Sequence, residues 1–413
     1  MRMIAHLPEP LMICPFCSLL CDNSQAIVDC SLRSRRLEQI QTCTGDVDSI
    51  QNLIDKAKLW LDHSASVMIT GRIVSVESSR AALAFAKRCR ATVDCSDRAV
   101  TMDVASAMSK TGAFSTSIAE VRDLSDVIIV LGDDGLTDRF PKLASCLAKR
   151  DRAPVIILLG EQTSKSLKNW KQFFPETWSI ECAMDRVPEA LHSFFALQVD
   201  SPTRDFSYRA NTEALFQQVR NANYISLVWA PNSLGAYSDE PAGRSAWIER
   251  LLEHQIEWNK NRRIGSLALS GQDAVFQQVC LWTTGYPGRV SFSSDSIDFD
   301  PARNSVSRWI SENKHASDAL LFEVDETANS SSDWLDSQMM DFQGKRIVAS
   351  FSRRLETKEN LSALHLPTQI AGFDRPADLL RADQTVLARV PEAQSMRSAS
   401  AWSISQWMEA LSR

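Results

Sequence analysis

The sequence predicts an α/β protein: two three-layer domains behind a small cysteine-rich lobe. Three observations predict it. Short apolar runs alternate with amphipathic helical stretches along most of the chain, the pattern of βα units feeding parallel sheets. The alternation falls into two blocks separated by a less regular stretch, 162–220. The first 55 or so residues are loop-rich and carry five of the ten cysteines. These boundaries give a lobe over 1–55, a first α/β domain over 56–220 and a second over 221–413.

The elements follow in order. SVMITG (66–71) reads as a buried strand, VESSRAALAFAKRC (76–89) as a helix with apolar residues at helical spacing, and ATVDC (91–95) as a second strand. DVIIVLGDD (126–134) is an apolar run ending in Gly and Asp, as parallel strands end. APVIILLGE (153–161) repeats it after the helical RFPKLASCLAKR (139–150). VPEALHSFFALQ (187–198) is a helix within the irregular stretch. The second block brings NYISLVWAPN (223–232), the helix AGRSAWIERLLEHQI (242–256) and the strand RIGSLALSG (263–271). RVSFSS (289–294), ALLFEVDE (319–326) and RIVASFS (346–352) are its later strands. ETANSSSDW (326–334) and SRRLETKE (352–359) read as surface loops. No solenoid repeat and no low-complexity stretch is visible.

Composition narrows the function classes. The 413 residues carry a formal net charge of −6, with 44% hydrophobic and 23% charged residues, the profile of a globular protein. An acidic balance without a basic stripe argues against a nucleic-acid surface. No apolar stretch reaches the ~18–20 residues that cross a bilayer, and the N-terminus lacks the apolar core of a signal peptide. A cytoplasmic setting follows, in which the cysteines are reduced, buried or metal-bound. The six histidines form no H-x3-H or H-x-H pair. There is no G-x-S-x-G elbow, Walker A loop or GxGxxG turn.

The strongest chemical signal is Cys14-x2-Cys17-x3-Cys21, followed by Cys43. Three thiolates from one tight loop and a fourth from a short excursion suit a [4Fe–4S] cube, which takes four soft ligands around a bulky core. Pro15 fixes the backbone between the first two, and Ser18 is small enough to leave room. Two other readings fit the same spacing. A structural zinc site uses the same ligand type, although usually as two close pairs, and Cys43 has no close mate. The thiols could also bind nothing.

CPFCSLLCDN (14–23) resembles the CPFCxLLCDD signature of the B subunit of formylmethanofuran dehydrogenase, a molybdopterin or tungstopterin oxidoreductase family related to formate dehydrogenase. TGAFSTSIAEVRDLSDVIIVLGDD (111–134) is similar to that family's G-x-x-T-S-T-L-G-E-V-K passage. LSGQDAVFQQVCLWTTGYPGRVSFSSDSIDFDP (269–301) is similar to its segment around W-Q-T-G-Y-P, and LLRADQTVLARV (379–390) to its R-x-D-x-V-x-L stretch. The matches run in family order over nearly the whole chain. The resemblance implies a molybdopterin-oxidoreductase-like fold of Rossmann-like three-layer domains with a cluster lobe, sandwiching a bis-pterin in active relatives. It also implies a C1 pathway on methanofuran-type carriers and tetrahydromethanopterin.

The resemblance also shows what this sequence lacks. Active members carry Cys-His-Gly-Pro about a dozen residues before the TSTLGEV helix, and its Cys binds the metal. That position falls near Val100, Thr101, Met102 and Asp103, which offer no thiolate, imidazole or Gly-Pro turn. Cys95 is the nearby thiol; it reads as a core cysteine of the strand ATVDC. The chain has only 14 glycines. Asp133, Asp134 and Asp138 put negative charge where pterin phosphates approach, and 271–278 lacks a Gly/Asn-rich turn. No catalytic or pterin-binding residue is therefore assigned. The eleven tryptophans, Trp282 among them, suit core packing or a subunit interface better than a cofactor box. Bacterial formyltransferase/hydrolase complexes contain a B subunit that has lost its pterin site in this way. The resemblance implies a non-catalytic structural subunit of such a complex, in methylofuran- and tetrahydromethanopterin-linked formaldehyde oxidation. Its partners would be the hydrolase A, the C subunit and the formyltransferase D, with no Mo or W pterin and an optional [4Fe–4S] cluster. Two alternatives stand beside it: a working dehydrogenase subunit with Cys95 as metal ligand in a shifted loop, and an iron–sulfur electron-transfer module.

Overall fold

The structure is a computed structural model. It describes residues 13–22, 29–42, 49–95, 99–148, 153–160, 164–196, 212–231, 241–260, 262–272, 274–327, 335, 339, 341–351, 363–392 and 401–412. The chain opens with helices α1 (Ser31–Thr42) and α2 (Ile50–Asp62), then β1 (Ser66–Arg72), α3 (Val76–Cys89), β2 (Thr92–Asp94), α4 (Ala99–Thr111) and α5 (Ile118–Leu124). Next come β3 (Val127–Leu131), α6 (Asp133–Arg139), α7 (Leu143–Leu147), β4 (Val155–Leu159), α8 (Ser164–Phe173), β5 (Thr177–Ile180), α9 (Val187–Ala196) and α10 (Thr212–Asn221). Strand β6 (Tyr224–Trp229), α11 (Pro241–Asn259), β7 (Arg263–Ala268), α12 (Ala274–Thr284), β8 (Val290–Ser291) and β9 (Asp298–Phe299) follow. The last part holds α13 (Val306–Glu312), β10 (Ala319–Asp325), β11 (Lys345–Ser350), β12 (Ala363–Pro367), β13 (Ala377–Leu380), β14 (Leu387–Val390) and α14 (Ile404–Ser412). Among the described residues no helix is long and apolar enough to cross a membrane.

The chain forms two compact units. The first joins Met1–Asp97 to Gly271–Arg413, and the second is Arg98–Ser270. The first contains a sheet ordered β12-β11-β10-β1-β2-β8-β9. Its five strands β12, β11, β10, β1 and β2 are parallel, and β8 and β9 add an antiparallel edge. Alternate residues face opposite layers. Ile69, Phe322, Val324 and Ile347 join Phe85 of α3, Phe276 of α12 and Trp407 of α14 in one core. Met68 and Leu321 meet Trp309 of α13 and Phe342 on the other face. An antiparallel ribbon of β13 and β14 lies in the same unit.

The second unit contains a wholly parallel sheet, β5-β4-β3-β6-β7. Burial on both faces makes its strands continuous apolar runs. Ile129, Leu131 and Ile157 meet Leu191, Val219 and Ile248 on one face, while Ile128, Val130, Ile156 and Leu158 are equally buried on the other.

The α/β class and the strands read from 66–71, 126–134, 153–161, 223–232, 263–271, 319–326 and 346–352 are present, their ends shifted by a few residues at most. The domain boundaries differ. No break falls at 220/221, because β6 and β7 extend the sheet begun by β3 and β4. The first unit is discontinuous because β1 pairs along its full length with β10, some 250 residues later. A lobe over 1–55 does not stand apart either. Ile13 and Leu20 pack with Val74, Ala371, Leu379 and Val390, and Phe16, Leu37 and Ile40 pack with Phe351, Ile370 and Phe373. A short loop and a single helix cannot bury a core alone, so they borrow one. The helix read over 139–150 is one turn, Leu143–Leu147, preceded by α6. The loop read over 352–359 and residues 328–334 of the loop before it lie outside the described residues.

Candidate functional site

Open α/β sheets bind ligands beyond the carboxyl ends of their strands, where the strand order reverses, with anions on a helix N-terminus. In the first unit that point lies between β1 and β10. From β1 the chain crosses by α3 to β2 on one side, while β10, β11 and β12 step away on the other. The residues at this corner are Val74 and Ser75 after β1, and Asp325, Glu326 and Thr327 at the end of β10.

Glu326 occupies the corner. Its side chain is fully enclosed and takes donors from every side. The Val74 and Ser75 amides donate to Oε2 at 2.9 and 3.0 Å. The hydroxyls of Ser75 and Ser78 donate to Oε1 at 2.9 and 2.5 Å. Arg375 Nη2 donates to Oε1 at 2.6 Å. Ser75 is also the N-cap of α3, accepting from the Ser78 amide. The α3 N-terminus, with its partial positive charge, is thus neutralised by a carboxylate from the chain itself. Glu326 is held by its backbone too: its amide donates to the Arg72 carbonyl, and its carbonyl accepts from the Ala371 amide.

Charged neighbours surround this contact. Arg72 pairs with Asp325, whose carboxyl is pushed up by burial against the pull of Arg72 and Thr327. Arg346 pairs with Glu323 on the adjacent strands at 2.5 Å. Burial, then the charge of Arg72, lowers Arg36 to about 10. Pro15 and Phe16 of the cysteine loop close the corner, Gln272 Nε2 donating to the Pro15 carbonyl at 2.6 Å. The space left among Pro15, Phe16, Arg36, Gln272, Glu326 and Thr327 is ≈ 20 Å³. That is room for roughly one water, against the ~300 Å³ or more of a cofactor site.

The second unit fills its strand ends with an apolar side chain. Gly132 after β3 (φ +63°) and Gly160 after β4 (φ +117°) are the positions where backbone approaches a ligand in such folds. Here Met184 lies over both. A Cβ on Gly132 would come within 2.7 Å of its Cε, and one on Gly160 within 2.4 Å of its Sδ. Trp247 Nε1 fixes the Met184 carbonyl at 2.9 Å. Asp138 is exposed and paired with Lys165 at 2.9 Å, a solvated surface residue; the side chains of Asp133 and Asp134 lie outside the described residues.

Of the four cysteines singled out by spacing, Cys43 lies outside the described residues. Cys14 is buried, and Cys17 and Cys21 are partly so. The loop closes on itself, the Cys14 amide donating to the Cys21 carbonyl at 2.9 Å, and burial pushes the Cys14 thiol up to about 11. Among the described residues no three Cys, His, Asp or Glu side chains gather as a metal-binding group. Val100 lies in the first turn of α4, and its side chain is outside the described residues. Cys95 is enclosed in the core between sheet and helices, its Sγ 3.9 Å from the Ile69 carbonyl and its thiol pushed well up by burial and by Asp94. It is the core residue its strand position implies. Trp170, Trp229 and Trp407 are likewise core, whereas Trp282 is 65% exposed beside the exposed Leu281.

The sequence reading missed Glu326 and Arg375. Position 326 reads both as the last residue of the strand 319–326 and as the first of the surface loop 326–334, and neither reading gives it a role. The available signal was position: an acid directly after a buried parallel strand stands at the strand's carboxyl end, where ligands and helix N-termini meet.

Comparison with solved structures matches the X-ray crystal structure of the formyltransferase/hydrolase complex from Methylorubrum extorquens in complex with methylofuran. The TM-score is 0.67 at 18% sequence identity, over 90% of this chain and 97% of that one. At that identity the likeness shows a shared fold. No family model and no curated protein sequence matches the chain.

Proposed function

We propose that the chain is a non-catalytic structural subunit of a formyltransferase/hydrolase complex in methylofuran- and tetrahydromethanopterin-linked C1 metabolism, in the place of the B subunit. The observation that carries this reading is the filling of both sheets' ligand-binding ends by the chain's own side chains, Glu326 with Arg375 in one unit and Met184 in the other. The fold shared with a chain of the Methylorubrum extorquens complex supports the same role. So does the burial of Cys95, which removes the thiol that a working dehydrogenase would need as ligand. The partners in this reading are the hydrolase A, the C subunit and the formyltransferase D. The exposed Trp282 and Leu281 offer the kind of aromatic anchor that such contacts use.

The test is elemental and pterin analysis of the complex purified through a tag on this chain. The expected result is co-purification of the partner subunits with Mo and W far below stoichiometric. Stoichiometric Mo or W, or viologen-coupled formylmethanofuran oxidation, overturns the reading in favour of the dehydrogenase. The same sample decides the cysteines. The alternative to bare thiols is a [4Fe–4S] cluster on Cys14, Cys17, Cys21 and Cys43. It would announce itself as iron and acid-labile sulfide with a visible band that bleaches on reduction.

A further inference from the structure

The corner at the end of β1 has the make-up of a phosphate cradle. Two successive backbone amides, two hydroxyls and one guanidinium converge on a single anionic group at the N-terminus of a fourteen-residue helix. Such donor sets hold phosphoryl oxygens because charge-assisted hydrogen bonds and the helix dipole act on the same anion. All five donors are taken up by the two carboxylate oxygens of Glu326, and one further N–H of the same guanidinium is left over. Arg375 Nε is buried and has no acceptor among the described residues.

We propose that this corner is an oxyanion site of the phosphoryl class whose permanent ligand is the chain's own Glu326. The carboxylate stands in for an external phosphate, keeps the α3 N-terminus neutral and bars the site. The two backbone hydrogen bonds at Glu326 keep it in place, so the site is closed in the native chain and does not open as a gate. The charge matters as well as the filling. An empty corner would leave Arg375 and the two amides buried without an anion, and a neutral side chain would satisfy their shape without their charge.

The corner can be tested whether or not the complex carries Mo or W. The closing experiment uses the full chain with inorganic phosphate as the probe, against chloride at matched ionic strength, read by thermal melting and calorimetric titration. The native chain is expected to show no phosphate-specific shift. Glu326→Ala is expected to melt roughly 5 °C or more below it, and to recover much of that loss saturably with phosphate. Glu326→Ala/Arg375→Ala should lose the recovery. Glu326→Gln, which keeps the side chain's volume, should be destabilised without responding to phosphate. Four outcomes overturn the proposal: a phosphate-specific shift of the native chain equal to that of Glu326→Ala; a folded Glu326→Ala that phosphate does not stabilise; an undiminished response in the double variant; or a Glu326→Gln melting within a degree of native. The last measurement decides the role of the charge even if Glu326→Ala does not fold.

Discussion

At the scale of single residues, the decisive groups are buried ones whose chemistry is spent on the fold. Cys280 lies in the core of the first unit, its Sγ 3.6 Å from Thr284 Oγ1. Burial raises its thiol to about 11 against the small opposing pull of Thr284. In the unfolded chain the same thiol ionises near its ordinary value of 9.0. Between those values the unfolded chain releases a proton that the folded chain retains, so stability falls as pH rises from about 9 to about 11. The loss approaches about 2–3 kcal/mol at the top of the window and is absent below its bottom. Cys280→Ala removes this slope. Denaturant midpoints at pH 8 and pH 10.5 should therefore converge in the variant relative to the native chain, and an equal alkaline loss in both would refute the assignment. Burial raises the thiols of Cys14, Cys89 and Cys95 in the same direction, so the alkaline slope of the whole chain is reduced by the Cys280 contribution and not abolished.

At the scale of elements, serine N-caps recur. Ser49, Ser75, Ser117 and Ser305 each accept from an amide in the first turn of the following helix. Ser117 does so within a capping box closed by Glu120. Such a hydroxyl satisfies one of the helix's unpaired amides. Ser75 differs from the others because it also donates to Glu326. Ser305→Ala should cost about 1 kcal/mol, the ordinary loss of a cap. Ser75→Ala removes a donor from an enclosed carboxylate in addition and should cost about 1–3 kcal/mol more. Chemical denaturation of the two variants tests this, and equal losses would mean that Ser75 serves only the helix. Helix α12 ends at a glycine. The Gly285 amide donates to the Leu281 carbonyl at 2.9 Å, and its positive φ of +82° stops the helix as only glycine does without strain. Tyr286 then stacks on Phe299 at 4.7 Å.

At the scale of the whole molecule, one compact unit is inserted in the chain of the other. The second unit has a complete five-stranded sheet and its own core, so the fragment Arg98–Ser270 should fold alone. Circular dichroism should show a cooperative melt for it. A fragment spanning 221–413 should not fold, because it cuts β6 and β7 from β3 and β10 from β1. Cooperative folding of 221–413 would contradict the division.

The sequence by itself determined the local content of this protein: an α/β class, most central strands, the burial of Cys95, and the lack of a thiolate or imidazole at Val100. These are legible because periodicity and side-chain chemistry are local properties. The tertiary structure decided what depends on residues far apart. Pairing of β1 with β10 set the units, and it brought Glu326 and Arg375 to Ser75, across some 250 and 300 residues of chain. No window of sequence contains that contact, because the free energy that selects it comes from burying two sheet faces and neutralising one helix end together. That is also why an acid that reads as the last residue of a strand or the first of a surface loop is the most enclosed anion of the corner it fills.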